Sequence, residues 1–420
     1  MSDPQRAFLS SLFDAAVAAA DPVKALSGRL PAAPKGKTVV IGAGKGAAQL
    51  AQAFETLWDG PYEGVVGTRY GYAVPCKKIR VLEAAHPVPD AAGLAASAAL
   101  KEAVRDLGPN DLVIALICGG GSSLLPDPPG TLTLDDIQSL NEALLASGAP
   151  ISVMNDIRKC FSGINGGRLA ELAAPARVCT FVVSDVPGDD PGEVASGPTV
   201  PGRPLPSAVL ESVKTRGIKL NDRLLAHLEA LSDTTGPEHD INVETEIIAS
   251  AGLSLKAAAA AARAQGVNAW TLSDSIEGEA RDVATVHAAL ARQAQDAAFP
   301  YPAPLVLLSG GETTVTLRHK GKGGRNSEFQ LALALALEGT HGVTALSADT
   351  DGIDGSEDNA GAVADANTTA RMRAAGGNPE VYQQKNDAYS AFDAINDLFV
   401  TGPTGTNVND FRAILIGDVP

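Results

Sequence analysis

The residues Thr38-Val39-Val40-Ile41-Gly42-Ala43-Gly44-Lys45-Gly46-Ala47 decide the fold class. The first four form a short apolar run typical of a buried strand, and an alanine-rich helical pattern continues from the glycines to about Trp58. A strand, a glycine turn and a helix in this order can cradle a phosphate, because Gly42, Gly44 and Gly46 let the backbone approach a ligand and the helix start presents N–H groups. The stretch predicts an α/β fold with an anion site after its first strand.

The same turn leaves two kinds of nucleotide-binding protein open. It satisfies the dinucleotide fingerprint with alanine in the last place, but that fingerprint needs an acid at the end of the next strand, where this chain has Arg69. An arginine can suit a 2′-phosphate, whereas Lys45 inside the loop is unusual for a hydride-transferring enzyme and natural for one that holds a moving phosphoryl group. The Walker pattern is absent, so a common P-loop kinase is not expected.

Apolar runs alternate with helical patterns along the first half of the chain, which indicates a parallel sheet with helices on both faces. Strands are predicted near residues 38–42, 64–68, 79–84, 111–117 and 178–183. Helices at 251–264 and 277–295, around a short strand at 267–272, are interpreted as a connecting layer. From about residue 300 a second part is predicted, with a helix after Arg325 and strands near 306–308, 343–346 and 413–416.

Two more glycine-rich loops follow predicted strands. Ser122 and Ser123 end the loop Cys118-Gly119-Gly120-Gly121-Ser122-Ser123, and their hydroxyls and amides can bind phosphate. Asp185 and Asp189 follow the strand at 178–183 and can supply oxygens to Mg²⁺, which usually takes one or two carboxylates with phosphate and water. Each aspartate can equally serve as a turn or helix-cap residue. Several such loops at strand ends indicate one ligand crevice along the carboxyl edge of the sheet.

A second candidate anion site lies in the C-terminal part. The apolar run 305–308 is expected to stop at the paired glycines of Ser309-Gly310-Gly311-Glu312-Thr313, and a basic glycine-rich loop, 321–324, then leads to Arg325 and a helix. This order would place helix N–H groups beside a forked guanidinium, which favours phosphate or carboxylate. The alternative is a mobile surface hairpin.

Six motifs stand in a fixed order along nearly the whole chain: His86-Pro87-Val88-Pro89-Asp90, Gly119 to Ser123, Ser184-Asp185-Val186 with Ala195 to Thr199, Ser309 to Thr313, Gly324-Arg325-Asn326 with Glu328, and Asp349 to Gly355. Together they resemble the class II glycerate 2-kinases. The resemblance implies an α/β fold with a Rossmann-like parallel-sheet glycerate kinase domain over residues 1–298 and an α/β MOFRL domain over 299–420. It also implies an active site in the cleft between them, where ATP and D-glycerate meet.

The resemblance assigns roles to particular residues. Lys45 and Arg325 occupy the catalytic positions, as cations facing the γ-phosphoryl group on its way to the 2-hydroxyl of D-glycerate. Asp185 and Asp189 are expected to hold Mg²⁺. ATP or substrate binding is expected at Gly42, Gly44, Gly46, His86, Gly119, Gly120, Gly121, Ser122, Ser123, Gly310, Gly311, Glu312, Thr313, Asn326 and Asp351.

Two of these residues keep an alternative interpretation. His86 precedes a proline, and a packing or loop-bracing histidine fits that place as well as a catalytic one. Asp351 lies in an acidic loop, 349–358, that has Ile353 and Asp354 where an EF-hand needs an oxygen ligand and a glycine, so calcium is disfavoured. We expect Asp351 to coordinate Mg²⁺ or to fold its loop.

The chain departs from the family pattern between residues 155 and 169. The family usually has Arg-Lys-His and later Lys-Gly-Gly, whereas this chain has Cys160 and Asn165 at the third and fourth of these basic positions. A basic group is lost at each, although Asn165 can still donate a hydrogen bond to a phosphate or carboxylate. Arg158, Lys159 and Arg168 are expected to form a solvated basic helix face, with compensation for the lost charges as the alternative.

Two other functions compete with the kinase. The family's members often carry the name hydroxypyruvate reductase, and an NAD(P)H-dependent enzyme of that kind would use the loop 42–47 but leave the other anion loops unexplained. A non-catalytic protein that binds phosphorylated metabolites would keep the loops and need no paired Lys45 and Arg325.

Composition limits the remaining possibilities. The formal charge of −16 over 420 residues, without a basic stripe, argues against a nucleic-acid partner and leaves anionic substrates to local cations. The apolar segment 9–20 has its larger side chains at helical spacing and is predicted to be an amphipathic helix rather than a signal peptide. No apolar run reaches the ~18 residues of a membrane helix, so no membrane partner and a cytoplasmic location are expected. A homo-oligomer is left open.

Overall fold

The structure, a computed structural model, describes residues 1–233, 241–295 and 302–419. They group into two compact units. The N-terminal unit is Ala25–Ile248, and the C-terminal unit combines Met1–Lys24 with Ala249–Pro420. The two units are described separately.

The N-terminal unit is built on a six-stranded sheet in the order β3-β2-β1-β4-β5-β6. The pairs from β3 to β5 are parallel, which confirms the predicted sheet. All residues of β1 and β4 are buried, and this explains their continuous apolar runs. The strands are β1 Thr38–Ala43, β2 Glu63–Arg69, β3 Ile79–Ala84, β4 Leu112–Cys118, β5 Arg177–Val183 and β6 Asn242–Ala249.

Helices fill the connections of this sheet. After α1 Asp3–Ala19 they are α2 Pro22–Leu26, α3 Ala47–Leu57, α4 Ala91–Val104, α5 Gly121–Leu124, α6 Leu134–Ser147, α7 Ile151–Cys160, α8 Arg168–Ala173, α9 Pro206–Thr215 and α10 Asp222–Ala230, with a 3₁₀ turn at Val194–Ser196. Leu100 and Val104 of α4 and Leu169 of α8 pack on the sheet. Helices α6, α7, α9 and α10 form a separate apolar cluster around residues such as Leu144 and Phe161.

The C-terminal unit contains a second six-stranded sheet in the order β11-β10-β9-β12-β8-β7. The β7–β8 pair is parallel and the other pairs are antiparallel, so this sheet is mixed. Its elements are α11 Ala251–Ala264, β7 Asn268–Glu279, α12 Ala280–Gln293, β8 Leu305–Thr314, α13 Arg325–Ala336, β9 Val343–Asp349, β10 Gly361–Asp365, α14 Thr368–Ala374, α15 Pro379–Gln384, α16 Ala388–Asp393, β11 Leu398–Phe399 and β12 Asp410–Ile416.

Both faces of this sheet are covered by helices. Val306 and Leu308 of β8 pack in one cluster with α1 and α11, whereas Leu305 and Leu307 pack in another with α12 and α13. Successive strand residues point to opposite faces, so the continuous apolar run 305–308 serves two cores. The predicted amphipathic helix at the N-terminus is confirmed as α1, with Phe13 only 1% exposed.

The units divide at a different place from the predicted domains. Residues 251–295, interpreted as a connecting layer, belong to the C-terminal unit, because α11 and α12 cover its sheet and β7 is an edge strand of that sheet. The predicted boundary between 298 and 299 lies outside the described residues. No helix within the described ranges is long and apolar enough to cross a membrane.

Candidate functional site

The turn between β1 and α3 is held against the loop that follows β4. The backbone N–H of Lys45 donates to the Gly119 carbonyl at 2.9 Å, and that of Gly44 donates to the Gly67 carbonyl at 3.1 Å. Gly44 has φ +129°, and a Cβ there would overlap the Cys118 backbone, so the turn requires glycine. Gly42 lies inside β1 with its Cα against Leu116, which makes it a packing residue of the strand rather than part of the loop.

The loop 119–123 brings the side chains of three predicted site residues together. A Cβ built on Gly120 would lie 3.0 Å from His86 Nε2 and 3.2 Å from Lys45 Cγ, and one built on Gly119 would overlap the Asp185 carboxylate. Glycine at these two positions therefore lets the three side chains converge on the loop. Gly120 has φ +80°, which also favours glycine.

The electrostatics of this cradle favour an anion. Lys45 is half-buried and forms no ion pair with any residue in the described ranges. Burial lowers the pKa of His86 to about 4, and the charges of Lys45 and Arg69 act in the same direction. His86 is therefore neutral at pH 7, and the positive potential around it comes from two cations.

The two serines of the loop differ in whether their hydroxyl groups can still bind a ligand. Ser123 Oγ donates to the Gly120 carbonyl at 3.2 Å and so braces its own loop. Ser122 Oγ lies 2.8 Å from Ser196 Oγ, a hydroxyl pair that can turn its hydrogens toward a ligand. Gly46 lies at the start of α3, where a Cβ would make only an ordinary contact with Cys118.

Asp185 and Asp189 are the predicted Mg²⁺ ligands. Asp185 lies against Gly119, and Asp189 has φ +55° in the half-buried loop that follows. Across the described residues, no three acidic, histidine or cysteine side chains converge as a metal site. Since Mg²⁺ needs only one or two carboxylates when phosphate and water complete its shell, Asp185 beside the cradle fits the ion.

The paired glycines of the C-terminal unit do not form a turn. Gly310 and Gly311 lie within β8, where they pair with β12, and Gly311 also pairs with Ile276 of β7. A Cβ on Gly311 would overlap the Ile276 backbone at a point where β7 is irregular. The prediction that the strand stops at Ser309 is wrong, because the glycines admit a neighbouring strand instead of bending the chain.

Arg325 is surrounded by carboxylates. Its Nε donates to Asp410 Oδ1 at 2.5 Å, Nη1 to Glu312 Oε1 at 2.9 Å and Nη2 to Asp349 Oδ2 at 2.7 Å. Burial alone would lower the pKa of Arg325, but the charges of Asp410, Asp349 and Glu312 raise it above its ordinary value. Each of the three guanidinium nitrogens thus has a carboxylate partner, whereas the sequence suggested a cation open to phosphate.

Other predicted ligands of this unit are bound within it. Asn326 is fully buried, with Nδ2 donating to Asp410 Oδ1 at 2.8 Å and Oδ1 accepting from Ser347. The Thr313 amide and hydroxyl both donate to Asp410 Oδ2, at 3.0 and 3.1 Å. Asp351 accepts from the Ile353 amide at 2.8 Å, which supports the loop-folding alternative. A ligand role for these three side chains remains a prediction.

The amides at the start of α13 are also engaged. Asp354, which is 1% exposed, accepts from the backbone N–H groups of Asn326 at 2.9 Å and Ser327 at 2.7 Å. The carboxylate thus occupies the place that the sequence assigned to a ligand anion. Beside it lies a pocket of about 290 Å³ lined by Arg325, Glu328 and Asp349 among others. The carboxylates in its lining suit a ligand that brings a cation with it, or an anionic ligand that replaces one of the carboxylates as a partner of Arg325.

A polar network next to the loop 119–123 was not predicted. Lys159 is 5% exposed, and its Nζ donates to Glu193 Oε1 at 2.8 Å, while Asn155 Nδ2 donates to Glu193 Oε2 at 2.8 Å. Arg168 donates to the Lys159 and Asn165 carbonyls at 2.9 and 2.8 Å. The prediction of a solvated basic helix face is therefore wrong for Lys159 and Arg168. Glu193, the acceptor shared by Lys159 and Asn155, lies 34 and 38 residues from them, and helical spacing gives no signal of it.

Two family models match separate parts of the chain. Residues 8–229 match the family model described as "Domain of unknown function (DUF4147)", and residues 305–410 match the MOFRL family. A protein of Agrobacterium vitis with a hydroxypyruvate reductase name is 49% identical over 98% of this chain and 94% of its own length. The D-glycerate 2-kinase of Thermotoga maritima is 38% identical over 94% of both chains. A crystal structure of glycerate kinase from T. maritima aligns with a TM-score of 0.91, at 35% identity, over 99% of this chain and 100% of that one.

Proposed function

This chain belongs to the class II glycerate 2-kinase family, and we propose that it transfers the γ-phosphoryl group of ATP to the 2-hydroxyl of D-glycerate, giving 2-phosphoglycerate. The observation that carries the proposal is the cradle of the N-terminal unit. There Lys45, with no ion pair in the described residues, and neutral His86 both border Gly120. A kinase needs a nucleotide substrate, and the cradle suits its phosphates.

Lys45 has the central role in the proposed reaction. The transferring phosphoryl group is loosely bonded in the transition state, so catalysis depends on position and on cations that face its oxygens. An ammonium group without a carboxylate partner is available to those oxygens as charge moves onto them. Glycines 119–121 allow the phosphates to approach the backbone, and Ser122 can donate its hydroxyl hydrogen to a phosphate oxygen.

Mg²⁺ would be held by Asp185, with Asp189 as the second candidate ligand, and when bound it neutralises charge on phosphate oxygens.

Arg325 is proposed as the second cation of the reaction, supplied by the C-terminal unit. Its guanidinium would bind a phosphoryl oxygen by releasing Glu312, whose side chain is 50% exposed, while Asp349 and Asp410 keep their contacts. Glu312 is the partner that water solvates best, so its release costs least. In this proposal the three carboxylates orient the guanidinium before the substrate arrives.

The reductase name carried by the A. vitis relative does not fit the site as well. The adenosine ribose of NAD is usually held by an acid at the end of the second strand, where this chain has Arg69, stacked 4.8 Å above the ring centre of Tyr72. A hydride-transfer enzyme also has no use for Lys45, which forms no ion pair with the described residues. The kinase interpretation gives Lys45 a direct role.

The test is to incubate the pure protein with D-glycerate, ATP and Mg²⁺ and to identify the product by ³¹P and ¹³C NMR. Formation of 2-phosphoglycerate supports the proposal, and 3-phosphoglycerate would move the transfer to the other hydroxyl. A parallel reaction with hydroxypyruvate and NADH or NADPH tests the reductase. Absence of any phosphorylated product from active, folded protein would overturn the kinase assignment.

A further inference from the structure

A small cavity in the N-terminal unit adjoins the glycine loop. Its volume is about 30 Å³, enough for one or two water molecules or a carboxylate group. Ser122 belongs both to the loop 119–123 and to the wall of the cavity. The cavity thus begins where the phosphate cradle ends, and Arg158, Asn165, Asn141 and Ser162 supply most of its other polar lining.

Arg158 brings a positive charge to this cavity without a counter-ion. Its Nε donates to Asn141 Oδ1 at 3.1 Å and its Nη1 to Asn155 Oδ1 at 3.0 Å, and both acceptors are neutral amides. Asp127 is the acidic residue of the wall, but Lys101 binds it at 2.8 Å. No carboxylate in the described part of the chain pairs with Arg158, and burial lowers the pKa of its guanidinium. A cation that is partly removed from water and lacks a counter-ion is costly unless an anion joins it.

Asn165 is the second unusual group. The residue is 4% exposed, and its Oδ1 is buried and accepts no hydrogen bond from the described part of the chain. Buried polar atoms in folded proteins nearly always have a partner, so such an atom in a cavity wall indicates a missing ligand or water. The amide can present its oxygen to a hydroxyl or, after a 180° rotation, its NH₂ to an anion.

We propose that Arg158 and Asn165, with Ser122 at the entrance, form the subsite that binds the carboxylate end of the hydroxy-acid acceptor. The inference rests on the proposed function and identifies the part of the site that selects an acidic substrate.

The chemistry of the subsite matches a 2-hydroxy carboxylate. The free edge of the guanidinium donates to the carboxylate, and Asn165 accepts from a hydroxyl or donates to the second carboxylate oxygen. A carboxylate fills the cavity, so the carbon that bears the reacting hydroxyl stays at the Ser122 end. That end is continuous with the loop that Lys45 borders. Binding the anionic end inside the wall therefore points the hydroxyl toward the cradle.

The test compares Arg158→Gln with Arg216→Gln, which removes the same charge from an exposed residue of the same unit. The KM for D-glycerate should rise on the order of a hundredfold in Arg158→Gln, whereas the KM for ATP should stay within about threefold. Both constants should be unchanged in Arg216→Gln. The preference of the wild type for D-glycerate over its neutral amide, glyceramide, should disappear in Arg158→Gln, because only the charged substrate uses the guanidinium.

Two further variants separate binding from folding. Arg158→Lys keeps the charge and should retain part of the preference for the acid. Asn165→Asp is nearly isosteric and places a carboxylate beside Arg158, so it should weaken D-glycerate binding even where the fold, monitored by circular dichroism, is intact. Wild-type KM values for D-glycerate in both Arg158→Gln and Asn165→Asp would overturn the subsite.

Calorimetric titration of D-glycerate without nucleotide distinguishes this inference from the proposed function. Wild-type kinase turnover with an unaltered affinity in Arg158→Gln would refute the subsite and leave the kinase standing. Binding of D-glycerate by the wild type that is lost in Arg158→Gln, without turnover, would support the subsite and refute the kinase. A wild type that neither binds nor phosphorylates D-glycerate would overturn both.

Discussion

Replacing Arg325 by alanine should destabilise the C-terminal unit, not only slow the reaction. The substitution leaves Asp349 and Asp410, whose side chains are 8% and 0% exposed, without a guanidinium between them. Removing one partner of a buried ion pair costs about 3–5 kcal/mol, because the remaining charge cannot be solvated. Asp410 still has Arg412 as an ion-pair partner in the variant, and Glu312 is half exposed, so water can solvate it. We therefore expect a loss of unfolding free energy at the lower end of this range, about 3 kcal/mol at pH 7.

The matched control is Arg373→Ala. Arg373 also binds two carboxylates, Glu338 and Glu380, but all three side chains are at least 40% exposed, and such surface pairs contribute about 0–1 kcal/mol. The fluorescence of Trp270, in a Trp58→Phe background, reports on the C-terminal unit alone, since the chain has two tryptophans, one in each unit. A loss of about 3 kcal/mol corresponds to a fall in Tm of roughly 6–12 °C for a unit of this size.

The same cluster predicts how this loss depends on pH. Burial raises the pKa of Asp349 well above its ordinary value, against the opposing charge of Arg325, and loss of Arg325 would raise it further. A carboxyl whose folded pKa is raised favours the folded state while protonated and loses that contribution as the pH rises through the folded pKa. The difference between Arg325→Ala and wild type should therefore shrink as the pH falls from 7 toward 5. An effect no larger than that of Arg373→Ala, or one that grows with acidity, would refute the argument.

Three more outcomes are expected. Lys45→Met should lower kcat by on the order of a hundredfold or more, with a smaller effect on the KM for ATP and little change in stability. The control variant Lys35→Met, at an exposed lysine, should leave kcat unchanged. A wild-type kcat in Lys45→Met would remove Lys45 from the mechanism. Combining Lys45→Met with Arg325→Ala should impair kcat less than additively if both residues act on one phosphoryl group, and strict additivity would argue against that. The wild type should lose stability as the pH falls from about 6.5 toward 4, because the folded pKa of His86 is lowered to about 4, and calorimetry of His86→Asn should show less of this loss.

Five of the six strands of the first sheet could be predicted because buried parallel strands have continuous apolar sequences, whereas β6, which is largely exposed, was missed. The same reasoning failed at Gly310 and Gly311, where glycines usually indicate a turn. Here they accommodate Ile276, a contact that depends on pairing with a strand 35 residues earlier. A glycine is required both where another strand approaches the backbone closely and where the chain bends. The sequence alone therefore cannot distinguish the two cases.

The sequence predicted which charged residues belong to the candidate site, but it did not predict which residues they contact. Sequence motifs selected Arg325, yet its partner Asp410 lies 85 residues away and belongs to none of them. Arg158 and Lys159 looked like a helix face in solvent, because their partners Asn141 and Glu193 lie outside the helix. Whether a cation is open to a ligand depends on these long-range contacts, which pattern and spacing do not contain.

The packing of α1 against α11 has a consequence for how the chain is synthesised. Ser254 of α11 donates a hydrogen bond to the Ala16 carbonyl across 238 residues, and the buried face of α1 includes Phe8 and Phe13. At about 5–20 residues per second, a ribosome needs roughly 12–48 s after it has synthesised α1 to synthesise the residues of α11 that pack against it. During that time the whole N-terminal unit emerges and can fold, while an amphipathic helix with no core to bury it stays exposed. The nascent chain therefore carries a hydrophobic segment that a chaperone can bind until α11 has been synthesised.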